Sequence, residues 1–277
     1  MKKRIMYVLL VFISISILWV LWGNKALEVN TYTISSNRLP KAFDGFAIAH
    51  ISDFHNTNIG DKVLDKLDDT NVDIIVITGD IIDSRNTQPE IALEFVEELM
   101  KKAPCYYVSG NHEGRIDVYP AFKEDMKDLG VYVLEDERVE VKKDNDVISL
   151  IGVDDPSFQT DYLFGDDVTV MSTKLDQLKN EQYTILLSHR PELFDVYVEY
   201  DMDVVFSGHA HGGQFRLPFI GGLVAPNQGL FPKYDAGLFV EDNTHMIVSK
   251  GIGNSIIPMR FNNRPEVIVI ELQHQNR

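Results

Sequence analysis

The sequence predicts an α/β domain built on two packed β-sheets flanked by helices, with one membrane-crossing helix ahead of it. Three observations carry this. Short β-rich apolar runs alternate with stretches of helical periodicity, the logic of βαβ units. The runs are too numerous for one tidy sheet, so two packed sheets are the natural solution. Residues 5–22 form an unbroken uncharged stretch, nearly long enough to span a hydrocarbon core as a helix.

That stretch follows Lys2, Lys3 and Arg4. It exceeds the 7 to 15 apolar residues usual in a signal peptide, and no small-x-small cleavage site follows at 23–28, so it is expected to stay as an anchor. Positive charge before the helix places the N-terminus in the cytoplasm and the remainder outside. Trp19 and Trp22, the two tryptophans of the chain, fall where amphipathic rings favour the outer interface. The expected organisation is an anchor over 1–23, a polar juxtamembrane segment over 24–41 and one domain over 42–277.

Within that domain, strands are expected at 46–52, 74–78 and 105–109, with a helix over 91–100. Further strands follow at 131–134, 147–153, 183–188, 203–207, 246–249 and 267–272, with helices near 119–129 and 172–180. Residues 142–146 read as a charged hairpin turn. Residues 215–232 mix Phe219, Ile220, Leu230 and Phe231 with glycine and proline, a loop composition.

A formal net charge of −16 excludes a general binder of nucleic-acid polymers, which needs a basic footprint. Cys105 is the single cysteine, so no intramolecular disulfide can form; its apolar run marks it as a core residue. A monomer is expected.

Polar groups gather where the strand-like runs end, which is where open α/β sheets place ligands. Asp53 and His55 follow the first run, Gly79, Asp80 and Asp83 the second, and Gly110, Asn111, His112 and Glu113 the third. His189 follows 183–188, and Gly208, His209 and His211 follow 203–207. Each alone has a bland reading: an Asp caps a helix, a His such as His50, His245 or His274 is a satisfied polar residue. Five run ends in series have no structural reason to carry such groups.

The ordered set D-x-H, G-D-x-x-D, G-N-H-E, H and G-H-x-H resembles the calcineurin-like metallophosphoesterase superfamily. Gly212, Gly213 and Gln214, then Arg216, Leu217 and Pro218, and later Arg264, Pro265, Glu266 and Val267, resemble its branch of membrane-associated YkuE-type and YaeI-type phosphodiesterases. The resemblance implies a four-layer α/β/β/α sandwich of two mixed sheets. It implies Asp53, His55, Asp80 and His211 as ligands of one metal, and Asp80, Asn111, His189 and His209 as ligands of a second. A carboxylate such as Asp80 can bridge ions about 3.5–4 Å apart. His112 is then an acid or orienting donor, and Asp83 a partner holding an imidazole.

The N/O ligand set suits Mn, Fe or Zn rather than Ca, with Mn expected to support activity best. The implied reaction is hydrolysis of a phosphate ester, a phosphodiester or pyrophosphate, by a metal-bridging hydroxide. Arg190 and Arg216, near ligands in sequence, are expected to grip phosphate. The apolar 215–232 segment and the anchor suggest a lipid-linked or other amphiphilic substrate at the outer membrane surface. HExxH and G-x-S-x-G are absent, which removes single-zinc amide hydrolysis and serine hydrolysis. The alternative from another class is a non-catalytic membrane-tethered scaffold on the same fold.

Overall fold

The computed structural model describes residues 2–158, 166–254 and 258–276. It opens with α1 (Lys2–Gly23), a 22-residue helix with apolar side chains on every face and no buried residue in its span, its last turns alone meeting the domain. At about 1.5 Å per residue it reaches roughly 33 Å, the thickness of a hydrocarbon core. Its mean hydropathy of 2.5 makes it the one helix among the described residues long and apolar enough to cross a membrane.

The chain then builds β1 (Glu28–Ser36), β2 (Phe46–Ile51), α2 (Gly60–Asp68), β3 (Ile74–Thr78), α3 (Pro89–Met100), β4 (Cys105–Val108), α4 (Tyr119–Asp128) and β5 (Tyr132–Val133). A hairpin of β6 (Glu137–Lys143) and β7 (Asp146–Gly152) starts the second half, followed by α5 (Asp167–Leu178), β8 (Thr184–Leu187), α6 (Phe194–Glu199) and β9 (Val204–Ser207). Two short hairpins come next, β10 (Arg216–Leu217) with β11 (Gly221–Gly222) and β12 (Val224–Ala225) with β13 (Gly229–Leu230). The last strands are β14 (Gly237–Glu241), β15 (Thr244–Val248) and β16 (Glu266–His274).

Two six-stranded mixed sheets result, ordered β1-β16-β2-β3-β4-β5 and β14-β15-β9-β8-β7-β6. Strands β2 to β5 run parallel, as do β7, β8, β9 and β15. Period-two alternation explains the layering. In β3, Ile74 and Val76 face the second sheet, packing with Leu150, Ile185, Leu187 and Phe206. Ile75 and Ile77 face the other way, against Val63, Val96, Leu99 and Phe122 of the helices α2, α3 and α4. The second sheet repeats this: Ile151, Leu186, Val205 and Val248 pack under Met171, Leu175 and Tyr197 of α5 and α6. The layers are helices, sheet, sheet, helices, as expected.

One segment departs from expectation. Residues 24–41, read as a polar juxtamembrane stretch, contain β1, which pairs in parallel with β16 over nine registered residues from Glu28↔Glu266 to Ser36↔His274. An edge strand is half solvated and tolerates Asn, Thr and Ser, so its apolar pattern is weak. The folded domain therefore begins before residue 42. The segment 215–232, read as loop, holds the two small hairpins.

Candidate metal centre

Parallel strands end on one edge, and the loops leaving the carboxyl ends of β2, β3, β4, β8 and β9 bring the polar residues together. Asp53, His55, Asp80 and His211 form one buried group, and Asp80, His189 and His209 a second; in each group one donor atom per residue lies within 4.8 Å of all the others. In the first, His211 Nε2 is 3.2 Å from both Asp53 Oδ1 and His55 Nε2. In the second, His189 Nε2 is 3.3 Å from Asp80 Oδ2 and 3.2 Å from His209 Nδ1. Donors each about 2.1 Å from a single ion sit roughly 3.0–3.5 Å apart, so these spacings fit divalent cations.

Asp80 belongs to both groups through one oxygen. Its Oδ2 lies 3.8 Å from His55 Nε2 as well as 3.3 Å from His189 Nε2. Its Oδ1 accepts the His112 backbone N–H at 2.8 Å, which fixes the carboxylate's rotation. Asn111 Oδ1 is buried without a hydrogen-bond partner among the described residues. A buried carbonyl left unpaired costs about 1–3 kcal/mol, which a cation would offset.

Backbone strain is present at five of the same residues. Asp53 (φ 52°), His55 (φ 47°), Asp80 (φ 50°), His209 (φ 63°) and His211 (φ 48°) all occupy the left-handed region, at a cost on the order of 1 kcal/mol or more each. The turn before Asp80 needs glycine on both sides of a close approach: Gly79 has φ 80°, and a Cβ there would strike the Gly110 backbone. Glu113, wholly buried, clamps the two loops together by accepting the N–H groups of Asp80 (2.9 Å), Gly110 (2.8 Å) and Ile82 (3.1 Å).

Hydrogen bonds also set which ring nitrogens are free. His189 Nδ1–H donates to Thr78 O at 2.7 Å, leaving Nε2 to face Asp80. His209 Nε2 lies 3.1 Å from Asn227 Oδ1 and 3.4 Å from Arg190 Nη1, which make opposite demands on its proton. The shorter contact and the crowding of Nδ1 against His189 favour Nε2–H donating to Asn227. Burial pushes His55 and His209 down to about 3 and His211 well below its usual value, so these rings are neutral donors. Burial would also lower His189, but the adjacent Asp80 carboxylate overcomes it and holds it up to about 10, so that a cation binding at Nε2 would have to displace a proton shared with Asp80. Burial raises Asp53 to about 6.

Other expected residues stand differently. His112 Nδ1 accepts the Ser84 backbone N–H at 3.0 Å, so the neutral ring carries its proton on Nε2, 3.9 Å from Asp80 Oδ2. Asp83, expected to hold an imidazole, is 3.7 Å from that Nδ1, beyond hydrogen-bond reach, because its oxygens bind Arg85; Ser84 does the holding. Arg190, expected to grip phosphate, is buried in a two-bond pair with Asp155, Nε to Oδ2 at 2.5 Å and Nη2 to Oδ1 at 2.8 Å. Arg216 bonds Asp235 Oδ2 at 2.9 Å and lines a separate cavity that includes none of the cluster residues. His50 has the bland role expected, bonded to Thr78 Oγ1 at 2.7 Å. Sequence reasoning did not single out Asn227, Asp155 or Ser84; Asn227 in particular is brought to the site by the β12–β13 hairpin.

Comparison with known proteins agrees with this geometry. The family described as calcineurin-like phosphoesterase matches residues 46–213. The uncharacterized metallophosphoesterase YkuE of Bacillus subtilis (strain 168) is 31% identical over 263 residues, covering 90% of this chain and 87% of its own. Phosphodiesterase YaeI of Escherichia coli (strain K12) is 26% identical over 203 residues, covering 72% of this chain and 70% of its own. The crystal structure of TT1561 of Thermus thermophilus shares the fold, with a TM-score of 0.53 at 13% identity over 75% of this chain and 90% of that one. The chain belongs to the calcineurin-like phosphoesterase family and is a metal-dependent phosphoesterase.

Proposed function

We propose that the chain is a dinuclear-metal phosphodiesterase or pyrophosphatase acting on a lipid-linked or other amphiphilic phosphate ester at the outer surface of the membrane. The observation that carries the two-metal reading is Asp80 Oδ2, one buried oxygen within reach of both nitrogen clusters. Asp53, His55, Asp80 and His211 would hold one ion, and Asp80, Asn111, His189 and His209 the other, with Mn the preferred metal and Fe or Zn next. When bound, two such ions supply Lewis acidity toward the phosphoryl oxygens and lower the pKa of water.

The chain's own groups do the rest. His112, neutral with its N–H on Nε2 through the Ser84 bond at Nδ1, donates a hydrogen bond that orients a phosphoryl or leaving-group oxygen. Glu113 holds the Asp80 and Asn111 loops at fixed separation. Arg190, tied to Asp155, acts as a positioning residue beside His209, and Asp83 orders the 83–85 turn through Arg85. The amphiphilic substrate draws support from α1 and from the exposed Phe219, Ile220, Leu230 and Phe231 on the two hairpins. Relatives named as a phosphodiesterase and as transmembrane proteins with a metallophosphoesterase domain support the same reading.

The test is kcat/KM for acylated and deacylated forms of one phosphodiester, with the full chain in detergent, with Mn²⁺ and with chelator. A gain of tenfold or more from the acyl chain, lost with Phe219→Ala, is expected. Equal values for both substrates remove the lipid, and turnover undiminished by chelator removes the metals.

A further inference from the structure

A second cavity, of about 150 Å³, lies where α1 meets the domain. Trp19 and Trp22 line it from the helix, Arg216 from β10, and Lys250, Arg260 and Arg264 from the connection between β15 and β16. It is a built site. Arg260 is 1% exposed, and its main chain is latched to the end of α1 by Asn24, which accepts the Arg260 N–H at 2.8 Å and donates to its carbonyl at 2.9 Å. The Arg260 guanidinium donates to the carbonyls of Lys250 and Gly253, while its Nε–H is buried without a partner among the described residues. Arg264 stacks over the Trp22 ring at 5.1 Å and donates to the carbonyls of Ala26 (2.7 Å) and Leu27 (3.0 Å).

Charge and position narrow the ligand. Glu28 pairs with Lys250 and Arg264, Glu266 with Lys250, and Asp235 with Arg216. Four cations gather here on a chain of net charge −16, partly balanced by these three carboxylates and by Asp53, which acts on Arg260 from the metal-centre side. Planar guanidinium groups suit phosphate oxygens. Trp19 and Trp22 close a membrane-length helix, the place where aromatic rings mark the headgroup level. The hairpin that carries Arg216 ends in Phe219 and Ile220, both exposed. The volume is about five times the ~30 Å³ share of one water, room for a phosphate group and not for an acyl chain.

We propose that this cavity binds the phosphate headgroup of an anionic membrane lipid, seating the domain against the bilayer beside its own helix. The lipid's chains lie along α1, and the Arg264–Trp22 stack forms one wall of the headgroup site. The lining includes none of the cluster residues, Arg260 being the one group that also acts on Asp53 and His211, and headgroup binding needs no metal. The Arg264, Pro265, Glu266 segment thereby gains a role that the metal centre does not give it.

Because both tryptophans of the chain line the cavity, their fluorescence reports on it. The full chain in neutral-detergent micelles containing EDTA is titrated with short-chain phosphatidylglycerol, with phosphatidylcholine of equal chain length and with inorganic phosphate. A saturable emission change is expected at least tenfold below the phosphatidylcholine concentration, with Arg264→Gln and Lys250→Gln each raising the midpoint several-fold. Both variants are expected to remain folded by near-UV circular dichroism at the titration temperature and to keep wild-type turnover of a soluble phosphodiester, which separates loss of this site from loss of the fold or of the metal centre. Equal responses to the two lipids, or midpoints unchanged in a folded variant, overturn the proposal. Inorganic phosphate binding as tightly as phosphatidylglycerol makes the cavity a free-anion site and overturns the lipid.

Discussion

Replacing Asp155 by Asn isolates the energetic role of the buried Arg190 pair. In the native chain burial alone would raise the Asp155 pKa, and the two bonds from Arg190 more than reverse that, holding it down to about 2 from an ordinary 3.8. That depression corresponds to about 2–3 kcal/mol at roughly 1.4 kcal/mol per pKa unit. Asn keeps one acceptor but removes the charge, leaving a guanidinium 4% exposed with Glu192, at 3.4 Å, and the more distant Asp167 to balance it. Removing one partner of a buried pair costs about 3–5 kcal/mol, so a loss near 3 kcal/mol is expected. For a domain of this size that lowers Tm by about 6–12 °C. The assay is thermal unfolding of the full chain in detergent with EDTA, followed by near-UV circular dichroism. The pH dependence has a fixed sign: a depressed carboxyl pKa contributes stability above the unfolded value and loses it as pH falls through the folded one. The gap between wild type and Asp155→Asn should therefore be full at pH 5–7 and close between about pH 4 and 2. A Tm change under 2 °C at pH 7, or a gap that does not close in acid, refutes the reasoning.

Asp80→Ala is expected to abolish retention of both metals and all turnover, since one oxygen serves both clusters, as read by elemental analysis and hydrolysis of a chromogenic phosphodiester. His112→Ala should retain metal and lose about 10²- to 10⁴-fold in kcat, because it acts through Nε2 on the substrate; an emptied site in that variant contradicts the assignment. Asn227→Ala releases the His209 Nε2–H and is expected to weaken metal affinity about 10- to 100-fold with little change in Tm, measured by titration calorimetry with Mn²⁺. A chain starting at Lys25 should give a soluble folded domain, whereas one starting at Ala42 lacks β1, bares the β16 edge and should aggregate, as judged by size exclusion.

What was legible in the sequence follows from how locally each feature is encoded. β3 could be read to its ends because Ile74 to Thr78 is apolar on both faces, as a central parallel strand must be. The same applies to the clustering of Asp53, His55, Asp80, His189, His209 and His211, because each stands close behind such a strand. β1 and β6 were not legible, since Thr, Ser, Asn, Lys and Glu on edge strands read as loop. Sequence proximity misled for the arginines: Arg190 adjoins a ligand but is claimed by Asp155, 35 positions away, and Arg216 points its charge at Asp235. Asn227, in an otherwise loop-like Pro-Asn-Gln-Gly stretch, carries no local mark of its contact with His209.

The order β1-β16-β2 has a consequence for synthesis. The final strand lies between the first two, and Ser35 bonds Gln273 across 238 positions of chain. At about 5–20 residues per second, β1 waits roughly 10–50 s for its partner after it is made. Throughout that interval both β1 and β2 present open edges next to an apolar helix that has already emerged. A ribosome that stalls before residue 266 therefore leaves an unclosed sheet that no rearrangement of the existing chain can complete. The nine-residue strand β16 acts as the bolt of the domain, since the sheet closes only once residues 266–274 are in place.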